Sequence, residues 1–417
     1  MIVKPFRGLR PRADLAHRIP SLPYDVLNSA EARELAADDP HTFLHVIKAE
    51  IDLPVGTVPG DDAVYAMARR NLDHMVDEGW LVQDPRPAYY IYQLVMDGQS
   101  QTGIVGAAAV TDYLAGKIKK HEFTRPDKEE DRIRLNDALD AHPGPVFLTY
   151  QPLPELNALI NGVVARDPDV DFVAVDGVQH TLWRVDDTQQ VNDIARLLGS
   201  VRATYVADGH HRTAAAAAVS KMRGELLEDA TGEEPCHYFM AVHFPVDQVR
   251  VLDYNRVVRD LNGLDSEQLL ERISAAGFQV EPGHAGKRPP HAETFGMYLG
   301  GQWYLLRPRT EIIPEGDVVG QLDVAILTDR LLQPILGIGD PRTDRRIDFV
   351  GGIRGMQELE RRVDSGRDAV AFAIYPTRLE QVMKVADAGR VMPPKSTWFE
   401  PKLRSGMVVQ RIDGDRL

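Results

Sequence analysis

The spacing of apolar positions divides the chain into helices and strands that mix without strict βαβ alternation. Residues 1–28 are irregular and Pro-rich, and an Asn28-Ser29-Ala30-Glu31 capping box opens a first helix predicted to end near Asp39-Pro40. Between Asp61 and Gly79, Val64, Met67 or Ala68, Leu72, Met75 and Val76 recur at helical spacing, with Gly79 as the stop. The period then changes: 88–96, an Asp97-Gly98 turn and a run to Val110 read as strand, turn and strand. Further strands are predicted at 146–150, 172–175, 181–185, 203–207, 238–244, 294–299, 303–307 and 369–375. Helices are predicted at 128–140, 188–199, 213–223, 265–276, 354–364 and 377–388, which makes the fold class α+β. The segment 282–293, rich in Pro, Gly and His, reads as a linker and places a division near residue 285.

Composition narrows the function classes. The 417 residues allow two to three domains; 43% are hydrophobic and 26% charged, as in ordinary globular proteins. No fixed-period repeat is present, and no run reaches the roughly 18 apolar residues of a membrane span, so no membrane partner is expected. The 48 basic and 62 acidic residues give a net charge of −14, which argues against general nucleic-acid binding but leaves room for one basic pocket. Cys236 is the single cysteine, which excludes an intrachain disulfide and a Cys-based zinc site and fits a reducing compartment. The N-terminus carries Lys4, Arg7, Arg10 and Arg12 without an apolar signal region, so the expected location is cytoplasmic.

The chemistry concentrates at Asp208-Gly209-His210-His211-Arg212-Thr213, between the apolar strand ATYVA and the alanines 214–218. A strand-to-helix corner of this kind suits an anion: free amides and the helix dipole favour negative charge, Gly209 permits close approach and Arg212 offers a forked donor. The plain alternative is a capped helix with Asp208 on free amides and surface histidines, but four consecutive functional side chains favour a site. Adjacent histidines point in different directions and no third ligand is evident, so a dedicated metal cage is not expected. The Walker A, dinucleotide-binding and kinase catalytic-loop signatures are all missing.

VADGHHRTAA resembles the nucleotide-binding motif of free L-serine kinases of the SerK type, which have a ParB/sulfiredoxin-like fold. Three further blocks match in the same order. Lys120-His121-Glu122 resembles the Lys-Pro-His-Glu stretch that supplies the kinase's catalytic glutamate. Ala371 to Val382 looks like its late strand and helix, and Gly389 to Thr397 is similar to its Gly-Xaa-Val-Xaa-Ser-Pro-Lys-Thr-Thr block. Over its whole length the chain is identified as a member of the bacterial family called domain of unknown function one thousand and fifteen. That resemblance rests on KPFRGLRP (4–11), PYDV (23–26), HTFLHV (41–46), KHEFT (120–124), DPRTDRRIDFVGG (340–352) and MPPKSTWFEPK (392–402).

These resemblances imply a ParB/sulfiredoxin-like nucleotide-binding core at 111–285, preceded by an N-terminal α/β region at 1–110 and followed by a C-terminal α/β lobe at 286–417 that closes over the active site. The implied activity is a phosphotransferase acting on free L-serine or a related small hydroxylated metabolite, with ATP or ADP as donor and Mg²⁺ on the phosphates. Glu122 would be the catalytic group. Asp208, Gly209, His210, His211, Arg212 and Thr213 would bind nucleotide, with Asp208 helping to fix Mg²⁺ or a motif amide, and His121, Lys395, Ser396 and Thr397 would bind substrate. Glu122 and Asp208 stand 86 positions apart, so a large insertion must leave both facing one cleft. Sulfiredoxin chemistry is not implied, because Cys236 is remote from the motif. The alternative is a non-enzymatic ParB-like regulator that binds nucleotide through the same 208–213 loop.

Overall fold

The computed structural model describes residues 1–227, 231–283 and 288–414. The chain forms two compact units, one of residues 1–249 with 401–417, the other of Arg250–Glu400. The fold class is α+β, as the apolar spacing predicts.

A mixed sheet organises the first unit. Its order is Ile118–Lys119, Thr204–Asp208, Val146–Tyr150, Tyr238–Pro245, Gln99–Ala109, Tyr89–Met96, Gln179–Val185 and Val170–Val173, with Val3–Lys4 added beside Gln99–Ala109. Two neighbour pairs are parallel, Ile118–Lys119 with Thr204–Asp208 and Val146–Tyr150 with Tyr238–Pro245; the rest are antiparallel. Asp97 and Gly98 both take positive φ, 53° and 75°, in the tight turn that fixes the central hairpin. Val146, Leu148, Val206, Ile118 and Phe239 form one buried cluster with Ala216 of the His210–Gly224 helix. The small alanine lets that helix sit directly on the sheet. Tyr89, Ile91, Ile104 and Trp183 pack with Ile160 and Ile194, which come from the helices Pro154–Val164 and Thr188–Ser200. A separate cluster joins Asp62–Asp77 and Pro126–Leu139 to the N-terminal helix, whose Asn28/Glu31 capping box is formed.

In the second unit six antiparallel strands run in the order Phe278–Pro282, Gln302–Pro308, Phe295–Leu299, Val370–Ile374, Tyr254–Val258 and Ile347–Gly351. Phe295, Met297 and Phe372 form its core with Leu327, Leu331 and Leu332. The charged DPRTDRR segment is absorbed by ion pairs, Arg342 with Asp340 and Arg346 with Asp260.

The domain divisions differ from those expected of the sequence. Strands from 1–110 and 111–285 share one sheet, so residue 110 joins a strand to a helix rather than two domains. The expected division at 285 falls among residues 284–287, outside the described ones. The strands on either side, Phe278–Pro282 and Phe295–Leu299, belong to the same sheet, so the Pro- and Gly-rich composition marks a connection within a unit. Residues 401–417 return to the first unit, where Val409–Arg411 pairs with Gly8–Pro11 and Ala141–His142. Local composition does not register such long-range strand pairing.

Ile118 is 1% exposed and lies opposite Thr204 in the parallel pair. Ile118→Ala should destabilise the first unit by about 2–5 kcal/mol, read as a lower urea midpoint.

Candidate functional site

The Thr204–Asp208 strand is buried through Ala207, and at Gly209 the backbone turns left-handed, with φ at 97°. A side chain there would carry backbone strain, and its Cβ would stand 3.2 Å from the Arg212 Nε. The helix therefore starts at His210, three residues before the sequence predicts, and no side chain caps it. Thr213 closes the first turn, its N–H and its hydroxyl both donating to the Gly209 carbonyl at 2.9 and 3.0 Å. The amides of His210, His211 and Arg212 lie in the first turn, before any intrahelical acceptor is available to them, at the positive end of a 15-residue helix.

Parallel register brings the second motif to this corner. Ile118 lies opposite Thr204 and Lys119 opposite Tyr205, so Lys120-His121-Glu122 leaves the sheet at the same end as Asp208-Gly209-His210. The His121 N–H donates to His210 Nε2 at 3.4 Å. This leaves the His210 proton on Nδ1, which stands 3.9 Å from the Glu122 carboxylate. The two imidazoles meet edge to face, with centroids 4.5 Å apart. Burial pushes His121 down to about 4, and burial together with the His121 ring holds His210 well below its ordinary value, so both are neutral at pH 7. The Glu122 side chain is 39% exposed. It lines a cavity of about 360 Å³ together with Lys120, Thr124, His210, Thr213 and the apolar Tyr113 and Phe123.

The rest of the DGHHRT motif is used differently. Arg212 turns inward, donating to the Asp208 carboxylate at 3.2 Å and to the Pro145 carbonyl, and it lines a separate small cavity with Tyr24, Arg132 and His142. Lys402 Nζ stands 3.8 Å from the same Asp208 oxygen. Burial would raise the Asp208 pKa, but Lys402 and Arg212 hold it at about 2. His211 Nε2 accepts the Arg125 N–H at 3.0 Å, at the start of the Pro126–Leu139 helix. Thus His210 and Thr213 face the Glu122 cavity, while His211 and Arg212 tie the corner to its surroundings.

Asp208 is a poor fit for Mg²⁺, because one carboxylate oxygen already serves two cations. A set of metal-type donors does exist, however. His121, Glu122 and His210 each place one within 4.8 Å of the others. The sequence offers no third ligand beside His210-His211; the fold supplies two from the neighbouring strand end. Lys395, Ser396 and Thr397 belong to the second unit. There Lys395 takes φ of 58°, its carbonyl accepts from Arg256 Nη2 at 2.9 Å, and the Ser396 hydroxyl donates to the Pro393 carbonyl at 2.6 Å. Sequence reasoning passed over Lys402, Lys120, Thr124 and Tyr113. The first three lie inside or beside quoted motif blocks, but nothing in the spacing assigns them to this corner.

Asp208→Asn should remove the carboxylate that Arg212 and Lys402 share, at a cost of about 1–3 kcal/mol in urea unfolding at neutral pH. The wild-type carboxylate contributes fully above its unfolded pKa of 3.8, and that contribution is lost as pH falls towards about 2. The stability difference between wild type and variant should shrink over that acid interval.

Comparison with known proteins gives a family and some distant structural likenesses. Among curated proteins no relative matches. A free serine kinase in complex with AMP shares 13% identity over 71% of this chain and 86% of that one, with a TM-score of 0.35. A conserved hypothetical protein from Pyrococcus furiosus shares 15% identity over 72% and 93%, with a TM-score of 0.34. SbnI with C-terminal truncation, from Staphylococcus aureus, shares 13% over 72% and 85%, with a TM-score of 0.39. The family model described as protein of unknown function (DUF1015) matches residues 3–325, and the chain belongs to that family.

Proposed function

We propose that the first unit is a phosphotransferase that binds a nucleotide in the Glu122 cavity and transfers a phosphoryl group to a small alcohol, with free L-serine as the favoured acceptor. The observation that carries this reading is the convergence of Glu122 and an uncapped helix start on one cavity, despite the 86 positions between Glu122 and Asp208. The ParB/sulfiredoxin-like assignment of the core and the choice of serine rest on the motif resemblance.

Phosphoryl transfer asks a protein for positioning and for stabilisation of charge on the transferring oxygens. In this proposal the amides at the start of the His210–Gly224 helix and the Lys120 ammonium receive the phosphate oxygens. The apolar side of the cavity, with Tyr113 and Phe123, takes the base. Glu122 accepts the proton of the acceptor hydroxyl, with the His210 Nδ1–H 3.9 Å from that carboxylate. His210 stays neutral and adds no charge. Mg²⁺ entering with the donor would offset part of the phosphate charge. His121, beside Glu122, is assigned to the acceptor by resemblance alone.

Incubation of the full chain with Mg²⁺, L-serine and either ATP or ADP should yield O-phosphoserine, detected by phosphorus NMR. Glu122→Gln should lower turnover by about 100-fold or more, with nucleotide affinity changed only a few-fold. Nucleotide binding without transfer to serine or any other small alcohol would favour the nucleotide-operated regulator. Absence of nucleotide binding would reject the cavity assignment.

A further inference from the structure

The second unit carries a guanidinium that no carboxylate neutralises. Arg256, on the Tyr254–Val258 strand, is 2% exposed, and its hydrogen bonds go to backbone carbonyls alone: Nη1 to Tyr254, and Nη2 to Lys395 at 2.9 Å and Pro394 at 3.4 Å. Burial lowers its pKa to about 10, and Tyr254 is the one group that opposes the shift. Carbonyl dipoles satisfy the donors but leave the net charge in place, and a buried charge without a counter-ion is costly.

A second cation lies next to it. The chain passing Arg256 is pinned by the Ser396 hydroxyl on the Pro393 carbonyl at 2.6 Å and by the Thr377 hydroxyl on the Ser396 carbonyl at 2.8 Å. It holds Lys395 in the left-handed region, with φ at 58°, where a residue with a Cβ needs such support. Lys395 is exposed, and its Nζ stands 5.7 Å from the centre of the Tyr254 ring. Among the described residues neither Lys395 nor Arg256 forms an ion pair, and the Tyr254 hydroxyl makes no hydrogen bond. The neighbouring carboxylates are engaged elsewhere: Asp253 accepts from Asn255 at 2.5 Å, Asp348 from Arg362 at 2.7 Å and Glu400 from the Trp398 indole at 2.7 Å. Phe349 and Trp398 meet the Tyr254 ring edge to face, with centroids 5.9 and 4.9 Å away, and all three rings are half-buried. Two uncompensated positive charges, an ammonium and a phenol hydroxyl therefore border one aromatic surface.

We propose that this face of the second unit binds a compact dianion carried on an aromatic group, of the phosphate monoester class. Its phosphoryl oxygens accept from Lys395 Nζ and from the Tyr254 hydroxyl, and its ring lies against Phe349 and Trp398. Arg256 supplies the second positive charge without touching the ligand. A singly charged ester of the same shape leaves one cation uncompensated, and an uncharged phenol leaves both. The proposal goes beyond the phosphotransferase reading and does not rest on it.

Isothermal titration of the full chain at about pH 8, where the monoester carries close to two negative charges, compares phenyl phosphate, phenyl sulfate and phenol in the absence of nucleotide. Phenyl phosphate should bind at least about tenfold more tightly than phenyl sulfate, and phenol more weakly still. Lys395→Gln alters an exposed side chain; it should weaken phenyl phosphate about tenfold and bring it level with the sulfate. Tyr254→Phe should weaken it by a smaller factor. Lys120→Gln, in the first unit, should leave it unchanged, which separates this face from the Glu122 cavity. Absence of phenyl phosphate binding, equal affinity for phosphate and sulfate, or binding untouched by Lys395→Gln would overturn the proposal.

Discussion

The parallel pairing of Ile118–Lys119 with Thr204–Asp208 is the constraint on which the candidate site depends. Only two residues of the first strand take part, yet their direction decides everything that follows. Parallel strands end at the same edge of a sheet, so the segments after each emerge side by side. In the antiparallel sense Glu122 would leave beyond the start of the partner strand, about 15 Å or more from His210 at 3.3 Å per residue. The observed separation is 3.9 Å. A parallel pair needs a long crossover, and the chain between the two strands supplies it with three helices and strands that the main sheet absorbs. The 86 positions between the motifs are thus the connection that makes their meeting possible.

The corner also separates charge from contact. Arg212, the obvious anion ligand in the sequence, is spent on Asp208 and a backbone carbonyl, and Lys402 balances the remaining carboxylate charge. The two imidazoles nearest Glu122 are neutral. What the cavity offers an anion is therefore a helix start and Lys120, with the Glu122 side chain close by. A site built this way favours ligands that bring their own charge compensation over bare anions.

Much of the fold was legible because apolar spacing is a local property. The central hairpin, the Asp62–Asp77 helix and its stop at Gly79, and the strand preceding Asp208 all follow from residues within a few positions of one another. Ile118–Lys119 was not legible: two residues carry no period, and they are a strand only because Thr204 and Tyr205 offer them a partner. The same reason hid how the residues of the corner divide their contacts. His210 and His211 read as equivalent neighbours, but the helix turns one towards Glu122 and the other to the Arg125 amide. Lys402 is visible as a lysine in a recognisable block, yet its partner lies across the unit. The Pro- and Gly-rich stretch at 282–293 misled for a related cause, since loop composition does not distinguish a connection within a sheet from a link between units.

The return of residues 401–417 to the first unit has a temporal side. Lys402 and Arg404 are made after the whole of the second unit, and at about 5–20 residues per second Lys402 follows Asp208 off the ribosome by roughly 10–40 s. During that interval Asp208 has only Arg212 for compensation, and the Gly8–Pro11 and Ala141–His142 strands wait for the Val409–Arg411 strand between them. The first unit is finished only after the second has been made. Its cavities take their final form only after the second unit has already been synthesised.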